Sequence, residues 1–329
     1  MSIRTVGIMG AGGHLNTGHA PFMQNVRVVG IFDPSETSRR EVAGVLGYSP
    51  QSFARPEALV RARPDAIVIG SPDRFHPDQL ALVVQAGIPV LCEKPLAIDG
   101  SGLETVREAL ATARRKQLHV ASCHQRRSAI ADLPYGWVRD NLPKLTRRFG
   151  RLTRIGLNSN YPQPRAAWKH DRSFLADKFV HDIDYLRILL SSAPFQAQRV
   201  FDSHDHYIVV GEIGSGRKSV SFSCEGTRLH NDRGTDGRGA FIEYIMLSFE
   251  HGECVVYTKP GVVRYFDRRT GKRGEEPITP MVPNSYDRLN REVTLNFLAG
   301  RAIHTPNDLL INTATVVALA GPEGRYVGR

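Results

Sequence analysis

Arg4-Thr5-Val6-Gly7-Ile8-Met9-Gly10-Ala11-Gly12-Gly13-His14 decides the fold. Its first six residues read as a short buried strand, and glycines follow at once. Strand, glycine turn and helix is the arrangement in which backbone amides can face a pyrophosphate. The third glycine of a GxGxxG fingerprint is absent, because Leu15 stands there, and the next helix is expected to begin later, near Thr17 to Pro21. The following strand, Val26 to Phe32, ends at Asp33, 21 residues beyond Gly12. About 20 residues is the spacing of the carboxylate that binds the adenosine ribose hydroxyls. A carboxylate there repels a 2′-phosphate, so NAD is favoured over NADP, with Arg39 and Arg40 nearby as the opposing feature.

The pattern then repeats. Glu36 to Leu46 reads as a helix stopped by Gly47, Pro56 to Ala62 as a short helix, and Ala66 to Ile69 as a buried strand before the turn Gly70-Ser71-Pro72-Asp73. Phe75 to Ala86 is a helix, Asp99 or Ser101 caps another that runs to Gln117, and Leu118 to Ser122 is a strand. Strands alternating with helices of 10 to 15 residues predict a parallel sheet with helices on both faces. Ligands bind outside the carboxyl ends of such strands, which is where His76 falls.

Val90-Leu91-Cys92-Glu93-Lys94-Pro95-Leu96 has the same address. Three apolar residues end in an acid, a base and a proline that cannot extend a central strand. A partly desolvated lysine beside a carboxylate suits proton-transfer chemistry. On spacing alone, a surface Glu–Lys pair in a turn is the favoured reading.

Composition sets outer limits. The 329 residues suit two domains, and 41% hydrophobic with 23% charged residues describes a globular chain. No apolar run approaches the roughly 20 residues that span a bilayer, and the N-terminus reads as a strand and not as an export signal, so a cytoplasmic protein is expected. Cys92, Cys123, Cys224 and Cys254 form no CxxC pair, which argues against a zinc site or a disulfide framework; no metal is expected. The net charge of +10 comes in short arginine pairs without interleaved aromatics, which argues against nucleic acid and leaves a bias toward an anionic small molecule.

After about residue 125 the alternation fades into strand-like segments at 150–159, 207–210, 219–224, 243–250 and 253–258. These predict a second domain on one large sheet. One helix interrupts it, Phe174 to Leu190, with Phe179, Ile183, Leu186 and Leu190 on one face. Asp177, His181 and Asp184 share the other, so Asp177 can orient the His181 imidazole as a base. A solvated polar face is the plainer alternative.

The glycine turn with Asp33, Ser71-Pro72 followed by His76, Cys92-Glu93-Lys94-Pro95, and Asp177-x-x-x-His181-x-x-Asp184 occur in one order. In this the chain resembles the glucose–fructose oxidoreductase / inositol dehydrogenase (Gfo/Idh/MocA) family, over most of residues 4 to 190. The resemblance implies an α/β fold: an N-terminal Rossmann domain with a doubly wound parallel sheet (1–125), and a C-terminal α+β domain with a large open, mainly antiparallel sheet (126–329) for substrate binding and oligomerisation as a homodimer or homotetramer. It implies a nicotinamide cofactor held by Gly10, Gly12, Gly13, Asp33, Ser71, Pro72, His76, Glu93 and Lys94, and a catalytic set of Lys94, Asp177 and His181. In this set Lys94 hydrogen-bonds the reacting oxygen, His181 moves the proton and Asp177 orients it. In some relatives the lysine is the base. The Lys94–Pro95 bond resembles one that is often cis. The glycine pair that usually precedes the aspartate is replaced by His170-Asp171-Arg172-Ser173-Phe174-Leu175, so substrate identity transfers least. Arg127, Tyr161, Trp168, Lys169 and His170 are candidate substrate contacts.

The expected activity is NAD-dependent hydride transfer to or from a carbon bearing a hydroxyl or carbonyl in a sugar, aminosugar or cyclitol. Reduction of an imine or enone on the same fold and a non-catalytic NAD(H)-binding regulator are the alternatives.

Overall fold

A computed structural model describes residues 3–128, 134–162, 173–191, 194–229, 243–257, 261–278 and 286–328. In chain order the first strands and helices are β1 (Thr5–Met9), α1 (Gly13–Gly18), β2 (Arg27–Phe32), α2 (Glu36–Leu46), β3 (Gln51–Phe53), α3 (Pro56–Arg61), β4 (Ala66–Ile69), α4 (His76–Gln85), β5 (Val90–Cys92), α5 (Gly100–Arg115) and β6 (Val120–Ser122). The six strands form a parallel sheet in the order β3-β2-β1-β4-β5-β6. This is the doubly wound dinucleotide-binding order, whose direction reverses between β1 and β4.

Central parallel strands are covered on both faces, so they read as unbroken apolar runs. β4 and β5 are buried throughout. Ala66 and Val68 face one core with Val6, Ile8 and Leu15, while Ile67 and Ile69 face the other with Leu80, Val83 and Val106. Local signals set the helix ends. Ser35 and Asp99 accept backbone N–H bonds as caps of α2 and α5, and Gly47 takes the left-handed conformation (φ 77°) after α2.

The chain continues through α6 (Pro134–Phe149), β7 (Leu152–Pro162), α7 (Phe174–Leu189), β8 (Phe195–Asp202), β9 (His206–Ile213), β10 (Val220–Leu229), β11 (Glu243–Phe249), β12 (Gly252–Tyr257), β13 (Val262–Asp267) and β14 (Arg273–Pro277). Then come α8 (Tyr286–Leu298), α9 (Pro306–Ala320) and β15 (Arg325–Gly328). The second sheet has nine strands in the order β14-β13-β12-β11-β7-β10-β9-β8-β15, antiparallel except for the β7–β10 pair. Inward residues alternate with half-buried ones, as in β12 (Cys254 and Val256 against Glu253 and Val255). β11 and β12 close through a two-residue loop, since Phe249 pairs with Gly252.

Two compact units result, residues 1–128 with 285–317, and 129–284 with 318–329. The sequence reading divides the chain once, at 125/126; the structure returns a late segment to the first unit. Val293, Phe297 and Leu298 of α8 join the core that contains Val6 and Leu15, and Leu309 of α9 joins the opposite one. Each such side chain, fully buried, stabilises the unit by about 1.5–3 kcal/mol. Among the described residues no helix is long and apolar enough to cross a membrane.

Candidate active site

The carboxyl edge of the first sheet gathers nine of the residues singled out from sequence: Gly10, Gly12, Gly13, Asp33, Ser71, Pro72, His76, Glu93 and Lys94 follow β1, β2, β4 and β5. Gly10 has φ +84°, and a Cβ there would lie 2.2 Å from the Ser71 nitrogen, so only glycine fits. Gly12 and Gly13 differ, because an added Cβ at either meets nothing within 4 Å. Protein packing does not require those two glycines, whereas close approach of a pyrophosphate to the backbone does. On this ground the turn fits a dinucleotide.

α1 starts at Gly13, earlier than the sequence suggests. The missing third glycine is compensated across the sheet. A Cβ on Gly70 would lie 2.8 Å from Leu15 Cδ1, so the bare Cα of Gly70 admits the leucine. Close approach comes instead at Gly18, where a Cβ would stand 2.5 Å from Asn290 Nδ2 in α8.

Asp33 is fixed by two backbone donors, Ala11 N–H to Oδ2 (2.6 Å) and Ser35 N–H to Oδ1 (2.7 Å). Each carboxylate oxygen keeps a second acceptor site for a ribose hydroxyl. Arg39 donates through Nη1 to the Asp33 carbonyl, while Arg40 pairs with Glu36 (2.9 Å) at the surface.

Beyond β4, Ser71 Oγ donates to Gln79 Oε1 (2.7 Å), and Pro72 precedes a 3-10 turn at Asp73–Phe75. His76 is the first residue of α4, buried, and spans two turns of the edge: Nδ1 lies 2.7 Å from the Pro95 carbonyl and Nε2 2.8 Å from the Ser71 carbonyl. Burial pushes its pKa down, outweighing the pull of the two carbonyls and of Glu93.

Glu93 is buried and Lys94 half-buried, and the Lys94–Pro95 bond is cis. Glu93 Oε1 lies 2.6 Å from His19 Nε2, and Oε2 accepts the Lys94 N–H at 3.2 Å. A buried Glu93 is not the surface Glu–Lys turn that spacing alone allowed. His19, Glu93 and Cys123 bring an N, an O and an S donor within 4.8 Å of one another. Burial and then Glu93 push the Cys123 thiol well above its ordinary range, and its S–H donates to Asn290 Oδ1 (3.3 Å). His19 and Glu93 are in hydrogen-bond contact, and the Cys123 thiol beside them is tied to Asn290.

In the second unit, Ser173 caps α7 by accepting the Ala176 N–H (3.2 Å). The helix is buried nearly all round. Phe179 and Ile183 are fully buried, and Asp177, His181 and Asp184 are only 3%, 4% and 0% exposed. Their face is thus not a solvated one, and buried ionisable groups are retained where they have partners. Asp177 Oδ2 pairs with Lys178 Nζ (3.1 Å), which also lies 4.9 Å from the centre of the Tyr161 ring. Tyr161 in turn meets Phe174 edge-on at 5.7 Å. Tyr161, Lys178 and Asp177 thus form one chain of contacts.

Arg127 is held inside the first unit, by the Ile303 carbonyl (3.0 Å) and Asp308 (3.9 Å). Trp168, Lys169 and His170 lie outside the described residues. Sequence reasoning missed His19 and Lys178. No spacing rule links His19 to Glu93, 74 positions away, whereas Lys178 adjoins Asp177 and charge alone could have singled it out.

The strand order, the open glycine turn and the anchored Asp33 define a dinucleotide-binding α/β protein. Comparison with known proteins agrees. Residues 4–124 match the family described as "Oxidoreductase family, NAD-binding Rossmann fold". Inositol 2-dehydrogenase 4 of Saccharopolyspora erythraea is 35% identical over 117 residues, which cover 33% of this chain and 34% of the relative. Here the chain spans about a third of the relative's length. Inositol 2-dehydrogenase of Rhizobium meliloti is 25% identical over 290 residues, 82% of this chain and 84% of the relative. The solved structure of an oxidoreductase from Agrobacterium radiobacter, in complex with NAD+, L-tartaric acid and magnesium, has the same fold (TM-score 0.74, 12% identity, covering 98% of this chain and 96% of that one). Over residues 4–124 the chain is therefore similar to the Gfo/Idh/MocA oxidoreductases, and over nearly its whole length it has the fold of a solved "putative myo-inositol dehydrogenase" from Sinorhizobium meliloti (TM-score 0.73, 20% identity, covering 99% of this chain and 100% of that one).

Proposed function

We propose that the protein is an NAD-dependent dehydrogenase that acts on a CH–OH carbon of a sugar, aminosugar or cyclitol. The observation that carries this reading is Lys94, half-buried at the sheet's carboxyl edge beside a buried Glu93 and on the same edge as the open glycine turn. The cofactor, when bound, supplies the hydride acceptor or donor at C4 of its nicotinamide. Gly10, Gly12 and Gly13 leave the turn's backbone open to its pyrophosphate, and the Asp33 carboxylate receives ribose hydroxyls and disfavours a 2′-phosphate.

The polypeptide's own tasks are positioning and proton transfer. Lys94 donates a hydrogen bond to the reacting oxygen and stabilises its negative charge. His181 takes the hydroxyl proton in oxidation and returns it in reduction, a contribution of roughly 10²–10⁴-fold for general base catalysis. Asp177 orients the His181 ring and stabilises it when protonated. Tyr161 and Lys178, in contact with each other, are assigned here as candidate contacts for a polar substrate. The inositol dehydrogenases among the relatives make cyclitols the first compounds to test. The decisive experiment screens sugars and cyclitols against NAD and NADP by absorbance of the reduced cofactor. Lys94→Ala and His181→Ala should each abolish turnover of the active compound while NADH still binds. Near-normal activity in both variants contradicts the assignment.

A further inference from the structure

The hydrogen bonds around His19 fix where its protons are. Its Nδ1 lies 2.7 Å from Thr294 Oγ1, and the Thr294 hydroxyl is 2.8 Å from the Asn290 carbonyl, one turn earlier in α8. A hydroxyl has one hydrogen, and a carbonyl can only accept. The Thr294 hydrogen therefore points at Asn290, and Thr294 Oγ1 accepts from His19, so Nδ1 carries a proton. At the other end of the ring, Nε2 stands 2.6 Å from Glu93 Oε1. A bare Nε2 and an ionised carboxylate would be two acceptors in contact at a site where His19 is 0% and Glu93 6% exposed. One proton must lie between them. The separation matches a charge-assisted hydrogen bond.

We infer that His19 is a positioning residue for the Glu93–Lys94 turn, gripping the Glu93 carboxylate through one shared proton while α8 grips His19. The functional half of this inference rests on the role of Lys94 proposed above. The anchor is deep. Asn290, whose carbonyl takes the Thr294 hydrogen, also accepts from Gln125 Nε2 (2.6 Å) and from the Cys123 thiol through its side chain, which ties in the residues after β6. Gly18 lets the chain pass over Asn290 on its way to His19. With Oε1 held, Oε2 of Glu93 stays on the Lys94 N–H, and the backbone from which the Lys94 side chain departs is set by a helix nearly 200 positions later in the chain.

The test has one arm that needs no substrate. In the full-length protein labelled with 15N-histidine, the His19 signals are those absent from the His19→Gln spectrum. The expected result is a protonated Nδ1 and a strongly deshielded proton on the bond to Glu93. That proton signal disappears in Glu93→Gln, whose amide N–H takes its place, while Nδ1 remains protonated. A His19 ring with a bare Nδ1 overturns the inference. So does a Lys94 amide that exchanges with solvent no faster in His19→Phe than in the wild type. In the second arm, run with NAD and the compound found by the screen, His19→Phe should lower kcat on the order of 10- to 100-fold, the loss of one hydrogen bond to a charged group. Its Kd for NADH should stay within about twofold of the wild type, and His19→Gln, which keeps a donor for Glu93, should recover part of the rate. Wild-type kcat in His19→Phe refutes the positioning role. A screen that finds no substrate counts against the dehydrogenase reading alone, because the first arm still decides the proton.

Discussion

Asp33→Asn replaces one oxygen by an NH2 group and leaves the shape unchanged, so its effects can be worked through bond by bond. Both oxygens of Asp33 already accept a backbone N–H, from Ala11 and from Ser35. Whichever way the asparagine turns, its NH2 meets one of those donors. The less costly orientation gives up the exposed Ser35 bond, for about 1 kcal/mol, or roughly 2–4 °C in Tm for a unit of this size. The larger effect falls on the cofactor. Hydrogen bonds to a charged group contribute about 1.5–3 kcal/mol against about 0.5–1.5 for neutral pairs. Two ribose hydroxyls on a neutral amide therefore lose about 2–3 kcal/mol, a Kd for NADH roughly 30- to 150-fold weaker. NADPH escapes this loss, because the charge that repelled its 2′-phosphate has gone while Arg39 stays in place. Titrating the variant with NADH and NADPH by fluorescence, alongside thermal unfolding, measures all three quantities. An NADH Kd within twofold of the wild type, with the NADH/NADPH preference unchanged, refutes the assignment of Asp33.

Three further outcomes follow from packing and protonation. Gly70→Ala should cost about 1–3 kcal/mol by overpacking Leu15, and Leu15→Ala in the same chain should relieve part of it; independent, additive losses in urea unfolding would contradict the contact. Burial holds His76 below its ordinary 6.5, so the unfolded chain binds the extra proton first. Its contribution to stability is complete above about pH 6.5 and is lost as pH falls below that. His76→Gln should therefore lose less stability than the wild type between pH 7 and pH 5, and an equal or greater loss goes against the burial argument. All four cysteines are buried thiols outside any disulfide, with Cys254 pushed up to about 12 by burial. The native protein should resist a thiol reagent that titrates four thiols after denaturation, and rapid native reaction would show the burial to be wrong.

What could be read from sequence was what local chemistry dictates. The apolar run of β5 stops at an acid, a base and a proline, and Asp33 sits one strand beyond the glycine turn; both lie at the expected edge of the sheet. α2 and its Gly47 stop were legible for the same reason. What could not be read depends on partners distant in the chain. Leu15 looked like a defect in the glycine motif until Gly70, just past the end of another strand, proved to make room for it. The membership of α8 in the first unit has no local signal, since Val293 and Phe297 would suit any apolar face. β3, β8, β13, β14 and β15 were not foreseen either, nor was α6, so α7 is not the one helix of the second unit. β14 carries Arg273, Glu275 and Glu276 in five residues, and edge strands tolerate such charge because one side is unpaired. The face of α7 that bears Asp177 and His181 allowed two readings in sequence, a solvated stripe or a set of working groups, and its burial removes the first.

The central proposal is that Lys94 and His181 both act on the reacting oxygen of the substrate. A crystal structure of the protein with NAD+ and the compound identified by the screen tests it most directly. The prediction is that Lys94 Nζ and a His181 ring nitrogen both lie within hydrogen-bonding reach of the substrate oxygen, at about 2.6–3.2 Å, with the carbon that bears it facing nicotinamide C4. A complex in which NAD+ is bound and either side chain points away from that oxygen, with no water between, contradicts it.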